Sequence, residues 1–477
     1  MPVIDQISCP SESTPKDQSH KSHSTKGVPV ELQRTILFDA LAIVLLLWVA
    51  LYNGYPTLTL DTGSYILTGA FHVALPPFRA PGYSAFIRLT SFGISAWPTV
   101  AAQAIIVVYV LRLTFVHLID GDKKYTNRSF LVGVCVLAGL SSLPWMVSEL
   151  MPYVFAGVLF LSGFLLAFAD ELRVAQRILL ALILMISVAS HVSLFVIAAL
   201  YLTGLAALKF AAHRSHGLST AQSVLGWLLV PVIAAGIWTA TQNQKMGQGF
   251  RLSPSTNTFL MGRLFGDGLA QEFLHENCPK RPFVSCQFLS NLPRGDQEFL
   301  WQHPMRSHLE GHEIDTIVRE TILSYPLKFL TSIVKNTLLQ LVSLRTGQEM
   351  RMGSADKWNF DVIRKVFPHD LRAFVNDRQF LDTILPVTDV FSRVHVAIFW
   401  LSVPLCLLFA WTGQFARINK FLVSAIVLLI SNAAVCGGLS AVNDFYQSRV
   451  AWIMPLCLTA YICCLFKDRK GEVALTQ

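Results

Sequence analysis

The chain has 477 residues, of which 53% are hydrophobic and only 14% charged, and its mean hydropathy is +0.49. Soluble globular proteins carry roughly 25% charged residues, so this composition excludes a soluble enzyme. The net charge of +8 does not indicate a nucleic-acid partner, because the basic residues lie in short patches beside apolar segments, as membrane anchors do. These features predict an all-α polytopic membrane protein.

Apolar runs define the predicted membrane spans. Residues 1–35 are polar and interrupted by prolines, which predicts a disordered cytoplasmic tail. Ten runs follow that approach or reach the roughly 20 residues a helix needs to cross a bilayer. They comprise residues 36–52, 94–118, 130–144, 152–169, 178–189, 192–208, 222–240, 394–411, 421–439 and 450–466, and residues 467–477 form a second cytoplasmic tail.

Lysine and arginine in the short connections set the orientation. With a cytoplasmic N terminus, the inner connections and tails carry sixteen basic residues and the short outer ones three, as the positive-inside rule requires. We therefore expect an N-terminal module at 36–240 whose first outer loop is 53–93. This module is followed by an extracytoplasmic region at 241–393 and by a C-terminal membrane module at 394–466.

Residues 325–344 are apolar, but Lys328 and Lys335 lie seven apart on one helical face. This pattern predicts a helix lying at the membrane interface. The alternative is that it crosses together with another short span, so the expected number of spans is about 10–12.

The apolar block 178–208 carries Ser187, Ser190, His191 and Ser193 at its middle. An unbroken span would bury them in lipid, so we expect two short helices that meet at a polar corner.

Six of the nine cysteines lie in apolar spans and Cys9 lies in the tail, which leaves two in the extracytoplasmic region. Cys278 and Cys286 lie eight positions apart in the extracytoplasmic region. They either form a disulfide in an oxidising compartment or remain two thiols. Neither a CxxC motif nor a Cys/His metal spacing occurs, so no zinc site is predicted.

The first outer loop holds the most distinctive polar residues. Asp61 lies before Thr62-Gly63-Ser64 in an apolar setting, where a carboxylate is costly unless it is paired or used. The alternative is that Asp61 caps the helix beginning near Thr62.

Asp61-x-x-Ser64-Tyr65 followed by Arg79-Ala80-Pro81-Gly82-Tyr83 resembles the first extracytoplasmic loop of bacterial GT-C glycosyltransferases. These enzymes are relatives of the protein O-mannosyltransferases and of the lipid A aminoarabinose transferase. Ser148-Glu149-Leu150-Met151-Pro152 is similar to the second acidic position of that family. Phe445-Tyr446-Gln447-Ser448-Arg449 is similar to the arginine that precedes its final helix. The resemblance covers the topology of 1–240 and 394–466, whereas 241–393 matches nothing in the family.

The resemblance implies a GT-C-like bundle and an inverting glycosyltransferase. One departure concerns the metal: the protein mannosyltransferases usually have an acidic pair at the first position, but here Asp61 is followed by Thr62. One carboxylate is a poor chelator of a hard cation. Mg²⁺ or Mn²⁺ would therefore need Glu149 as a second ligand, and no metal ligand is assigned.

Outward-facing acidic residues cannot use cytoplasmic nucleotide sugars, so the expected donor is a polyprenyl-phosphate-linked sugar in the inner membrane. The acceptor would be an extracytoplasmic glycan, lipid or protein. We expect Asp61 to act as general base, with Glu149 as positioning group, second ligand or substitute base. The expected substrate and phosphate contacts are Arg79, His191, Arg449, Tyr65 and Tyr83.

Each contact residue also has a structural interpretation. Arg79 and Arg449 would serve as interfacial anchors, His191 as a turn residue, and the tyrosines as part of the aromatic belt.

Two other functions fit the same topology. A polysaccharide polymerase or O-antigen ligase would consume an undecaprenyl-diphosphate oligosaccharide and depend on arginines in 241–393. A transporter or flippase would need inverted repeats and charges at mid-span. The sequence shows neither: Asp39 lies well inside a span, and Arg112 lies toward the end of its own. The sequence contains no phosphate-binding glycine loop, so ATP-driven work is not expected.

Overall fold

The computed structural model describes residues 30–75, 79–119, 121–212, 218–278, 280–353 and 357–475. Within these ranges the regular structure is helical, apart from one isolated parallel β-bridge between Thr57 and Glu149. The predicted N-terminal tail lies outside the described residues, except for its last six positions.

The helices follow one another with short connections. In chain order they are α1 (Val30–Leu46), α2 (Trp48–Asn53), α3 (Thr62–Phe71), α4 (Pro81–Ser91), α5 (Trp97–Leu118), α6 (Lys123–Leu140), α7 (Leu143–Ser148), α8 (Val154–Phe168), α9 (Val174–Ser190), α10 (Val192–Ala212), α11 (Leu218–Lys245), α12 (Thr256–Gly266), α13 (Leu269–Asn277), α14 (Met305–His308), α15 (Gly311–Ser324), α16 (Pro326–Val342), α17 (Met350–Gly353), α18 (Lys357–Val366), α19 (Leu371–Val375), α20 (Leu385–Trp411), α21 (Ala416–Ala433), α22 (Asp444–Ala451) and α23 (Ile453–Leu475). Short 3₁₀ or π turns occupy Val284–Asn291, Glu298–Gln302, Pro368–Asp370 and Ala434–Gly438.

The chain is an all-α polytopic membrane protein. Six helical segments of the described chain are long and apolar enough to cross a membrane, and two apolar helices, Val154–Phe168 and Val174–Ser190, are shorter. The six segments are Trp97–Leu118, Val192–Phe210, Leu225–Lys245, Leu385–Trp411, Ala416–Gly438 and Asp444–Lys467. The predicted span 36–52 corresponds to α1 together with α2, and the predicted span 130–144 corresponds to α6. That these helices cross the membrane stays a prediction.

α8 forms the centre of the bundle. Every residue from Val154 to Phe168 is buried, and the helix packs against α5, α9 and α10. A helix that is apolar on all sides is stable only when other helices surround it. Gly157 lets α8 approach Trp452 closely, because a Cβ at this position would lie 2.2 Å from the indole ring.

Polar residues predicted to be cytoplasmic meet at one end of the bundle, which we call the inner end. There Lys209 pairs with Asp170 at 3.5 Å, and Arg417 donates to the carbonyl of His117. Residues predicted outside meet at the opposite, outer end. Asp39 and Arg112, the two charges inside predicted spans, form an ion pair and neutralise each other.

The predicted corner at His191 is confirmed. α9 ends at Ser190, His191 is extended, and α10 begins at Val192. The serines lie at this corner, with Ser187 and Ser190 bonding back to carbonyls of α9.

The region 241–393 contains two differently packed parts. Residues 256–325, which we call the outer lobe, have their own hydrophobic core, and Cys278 and Cys286 form a disulfide there with Cα atoms 5.4 Å apart. Residues 345–384, which we call the return segment, pack into the main core through Met350, Ile363 and Phe374.

α16 joins these two parts. Its buried residues are polar: Asn336 donates to Asp267 at 3.0 Å and Gln340 donates to the carbonyl of Asn443 at 2.7 Å. The opposite face exposes Leu327, Leu338 and other apolar side chains. The helix predicted at 325–344 is therefore present and amphipathic, and its position in the membrane interface stays a prediction.

Candidate active site at the outer end

The first outer loop is tied to the segment that carries Glu149. The amide of Thr57 donates to Ser148 O at 3.0 Å, and the amide of Leu150 donates to Thr57 O at 2.9 Å. Gln103 of α5 holds the same segment from behind, donating to the carbonyls of Val147 and Glu149 at 2.9 and 3.0 Å. Two acidic residues 88 positions apart are thereby brought to one end of the bundle.

The Pro-Gly-Tyr run of the first loop has a structural explanation. Pro81 occupies the first turn of α4, where its missing N–H costs nothing. A Cβ on Gly82 would lie 2.1 Å from the carbonyl oxygen of Ala189, so only glycine lets α4 approach the end of α9. The hydroxyl of Tyr83 donates to Gln103 at 2.6 Å. These three residues fix the point from which Arg79 projects.

Asp61 and Arg79 form an ion pair. Asp61 occupies the N-cap position of α3, but its side chain makes no capping hydrogen bond, so capping does not account for it. The side chain of Asp61 is 32% exposed and that of Arg79 12%. Burial raises the pKa of Asp61 above its usual value, while the charge of Arg79 opposes the rise. Nε of Arg79 is buried and has no hydrogen-bond partner among the described residues.

A cavity of about 660 Å³ opens in front of this pair. The first outer loop, the outer lobe, the return segment and the turn before α22 all contribute to its wall. The lining residues are Thr59, Leu60, Asp61, Ser64, Arg79, Phe259, Gln297, Leu300, Trp301, Gln302, Gln348, Glu349, Trp358, Ser440, Ala441, Asn443, Phe445 and Tyr446. Its size falls within the range of small-molecule sites.

Glu349 is a third acidic residue of this site, and no sequence pattern singled it out. It lines the cavity, and its Oε2 is buried with no hydrogen-bond partner among the described residues. Burial, and then the neighbouring Glu149, raise the pKa of Glu349 well above its usual range. Burial raises the pKa of Glu149 to about 8. Both shifts favour the protonated, uncharged form of the carboxyl.

The two carboxyls are not equivalent in position. Glu149 is 5% exposed, it does not line the cavity, and its Oε2 has no partner within the described chain. Glu349 lines the cavity, and its electrostatic neighbours are Glu149, Tyr153, Asp61 and Arg79.

Arg449 lies behind the wall formed by Tyr446, with its guanidinium carbon 5.6 Å from that ring centroid. It is 1% exposed. Its side-chain hydrogen bonds within the described chain go to the uncharged side chains of Asn432, Ser193 and Cys436, and Nη1 has no partner. A buried cation of this kind costs free energy unless a ligand neutralises it.

His191 is connected to this arginine. Its Nδ1 lies 2.8 Å from Ser193 Oγ, and Ser193 accepts a hydrogen bond from Arg449 at 3.2 Å. The imidazole therefore supports the arginine through one hydroxyl and does not line the cavity.

The two tyrosines of the first loop pack behind the cavity. Tyr65 and Tyr83 are fully buried and meet edge to face, with ring centroids 5.3 Å apart. The exposed aromatic surface of the cavity comes instead from Trp301 of the outer lobe and Trp358 of the return segment.

The residues present do not fit a resident divalent cation. Asp61 is committed to Arg79, and within the described ranges no group of three His, Cys, Asp or Glu side chains is placed to hold a metal. A hard cation needs several oxygen ligands, so no step of the chemistry below is routed through a metal.

Comparison of the chain with protein-family models, with curated proteins and with solved structures gives no match.

Proposed function

We propose that this chain is a membrane glycosyltransferase of the GT-C type, which transfers a sugar from a polyprenyl-phosphate donor to an extracytoplasmic acceptor. One observation carries the proposal: Asp61, Arg79 and Glu349 share a cavity at the outer end of a membrane bundle, with the unneutralised Arg449 behind its wall. Carboxyl groups in the cavity and an excess cation beside it suit transfer from a phosphate leaving group.

Charge balance supports a phosphate-bearing ligand. Burial favours the protonated forms of Glu149 and Glu349, and Asp61 neutralises Arg79. Arg449 then contributes a positive charge that its hydrogen-bond partners within the described chain do not neutralise. Arg79 lines the cavity and can contact a phosphate there, whereas Arg449 attracts the phosphate by its charge from behind Tyr446.

In the proposed reaction the carboxylate of Asp61 accepts the proton of the acceptor hydroxyl. The acceptor oxygen attacks the anomeric carbon of the donor, and the bond from that carbon to the phosphate oxygen breaks. The leaving polyprenyl phosphate gains one negative charge. Arg79 and Arg449 stabilise that growing charge, which is where an enzyme gains most from fixed cations.

The test uses purified protein in lipid vesicles with a panel of polyprenyl-monophosphate sugars. The wild type is expected to consume one donor, and Asp61→Asn is expected to lose at least about 100-fold in rate, the lower range for a general base. Glu310→Gln removes an exposed carboxylate of the outer lobe and is expected to keep full activity. An Asp61→Asn variant that matches the wild type on every donor would disprove the assignment.

One observation favours a second candidate, the polymerase or ligase. Burial, together with the charge of Arg79, lowers the pKa of Arg306 in the outer lobe, so two guanidinium groups from different parts of the chain lie near each other. A diphosphate carries the extra charge that such a pair would bind. In that reaction Arg306→Ala would abolish consumption of a diphosphate-linked oligosaccharide, and Asp61→Asn would not.

A further inference from the structure

A second polar cavity lies at the inner end, between α1 and α6. It has a volume of about 230 Å³ and is lined by Glu31, Arg34, Phe38, Lys124, Asn127 and Arg128. We call it the basic cleft. α5, a membrane-spanning helix, ends at Leu118, and α6 begins five residues later at Lys123. The basic cleft therefore lies where the bundle meets the membrane surface, at the end opposite the candidate active site.

The cations of the basic cleft have no counter-ion among the residues that the structure describes. Arg34, Lys124 and Arg128 are exposed, and none of them belongs to an ion pair found within the described chain. Glu31 is the one carboxylate in the lining. Three positive charges against one negative charge leave the cleft with a net charge of +2, which favours an anion.

The floor of the basic cleft is already neutral and fixed. Asn127 accepts a hydrogen bond from Arg112 at 2.6 Å and donates to Thr35 at 3.3 Å. Arg112 is in turn paired with Asp39. Arg112 and Asp39 therefore neutralise each other. Arg34, Lys124 and Arg128 are the cations available to a ligand.

Apolar surface continues from the cations along both helices. On α1, Leu37, Leu41 and Val44 are exposed at three, seven and ten positions beyond Arg34, so they share its helical face. This stripe leads from the membrane surface toward the bilayer interior. A free phosphate ion would gain nothing from it.

α6 repeats the arrangement. Val132 and Cys135 are exposed four and seven positions beyond Arg128. α1 and α6 pack against each other, so the two stripes run beneath one cleft.

We propose that the basic cleft binds the phosphate headgroup of an anionic phospholipid, whose acyl chains lie along the two apolar stripes. Arg34, Lys124 and Arg128 surround the phosphate, and Asn127 forms the base of the site. Basic pockets between membrane helices are suited to such headgroups. The site is independent of the proposed glycosyl transfer, because it shares no residue with the outer cavity.

The test measures lipid retained by the purified full chain, using native mass spectrometry after exchange into nanodiscs of phosphatidylglycerol or phosphatidylcholine. The wild type is expected to retain phosphatidylglycerol selectively. Each removed cation is expected to weaken retention about fivefold, so the triple variant Arg34→Ala/Lys124→Ala/Arg128→Ala loses the selectivity. Lys124→Arg keeps the charge and is expected to keep binding.

The matched control is Lys123→Ala/Arg173→Ala/Lys420→Ala, which removes the same charge from exposed inner-end residues outside the basic cleft. It is expected to retain phosphatidylglycerol as the wild type does. Equal losses in the control and the triple variant would overturn the proposal in favour of general surface charge. Competition by millimolar inorganic phosphate would assign the cleft to a free anion, and unselective retention by the wild type would remove the site.

Discussion

Replacing Arg449 by methionine separates a binding role from a structural one. Arg449 is almost fully buried, and its side-chain hydrogen bonds within the described chain go to the uncharged groups of Asn432, Ser193 and Cys436. Methionine has a similar length and no charge. If the arginine is present to bind phosphate, the substitution should impair function while the ligand-free fold remains stable.

The expected change in stability follows from two opposing contributions. Leaving the Asn432 carbonyl without its donor costs about 1–3 kcal/mol. Removing a buried charge that has no counter-ion recovers several kcal/mol of desolvation free energy. The free energy of unfolding should therefore change by less than about 2 kcal/mol or increase. Loss of the attraction between this charge and the phosphate, on the order of 2 kcal/mol at an effective dielectric constant of about 20, should weaken binding by about 30-fold.

The assay is thermal unfolding in nanodiscs with and without polyprenyl monophosphate. The ligand should raise the Tm of the wild type and of the control Arg372→Met, whose side chain is exposed on α19. Arg449→Met should have a near-normal Tm that the ligand does not raise. A variant that unfolds far below the wild type without ligand would show that Arg449 holds the helices together, and the reasoning from its missing counter-ion would be wrong.

Three further outcomes follow from the same structure. Burial raises the pKa of Glu149 from 4.5 to about 8, so the folded state holds this proton more tightly than the unfolded chain does. The contribution of Glu149 to stability should therefore be greatest below about pH 4 and fall as the pH rises toward 8. Tm measurements across this range should show a smaller decline for Glu149→Gln. Gly82→Ala places a Cβ 2.1 Å from the carbonyl oxygen of Ala189, so it should lower the free energy of unfolding by about 1–3 kcal/mol. The control Ala85→Gly on the same helix should lower it by no more than about 1 kcal/mol. A fully stable Gly82→Ala would refute the close approach. The double variant Cys278→Ser/Cys286→Ser removes the disulfide that closes a short loop of the outer lobe. Proteolysis of the lobe should become faster while the membrane bundle stays intact. An unchanged cleavage rate would mean that the disulfide does not stabilise the lobe.

Local patterns were sufficient to predict the long apolar helices, the helix at 325–344 and the corner at His191. Long apolar runs and clustered serines have consequences within one or two turns of the chain, so they can be read without knowing the neighbours. The start of α1 was less predictable: the helix begins at Val30, within the segment expected to be a tail. Its first turns are polar because they extend beyond the apolar run.

The role of Glu349 could not be read from the sequence, because its position depends on distant partners. The preceding residues are held by hydrogen bonds from the amide of Arg345 to Ser448 and from the amide of Thr346 to Ser392. These partners lie 103 and 46 positions away. No local motif encodes such contacts, and region 241–393 showed no resemblance that would have singled out this carboxyl.

The pairing of Asp61 with Arg79 was only partly predictable. Both residues were singled out within one loop, but their ion pair depends on how α3 and α4 pack. The same packing buries Tyr65 and Tyr83 and leaves Trp301 and Trp358 as the exposed aromatic surface of the cavity. Residue type indicated aromatic side chains near the site, but burial decided which of them face it.

The most direct test of the proposed function identifies the lipid released by the wild-type protein. Vesicles containing the protein would receive polyprenyl-monophosphate sugars together with an undecaprenyl-diphosphate oligosaccharide, and mass spectrometry would identify the sugar-free lipid product. For a GT-C glycosyltransferase we expect release of polyprenyl monophosphate together with loss of one sugar donor. Release of undecaprenyl diphosphate, with every monophosphate donor intact, would contradict it and support the polymerase or ligase.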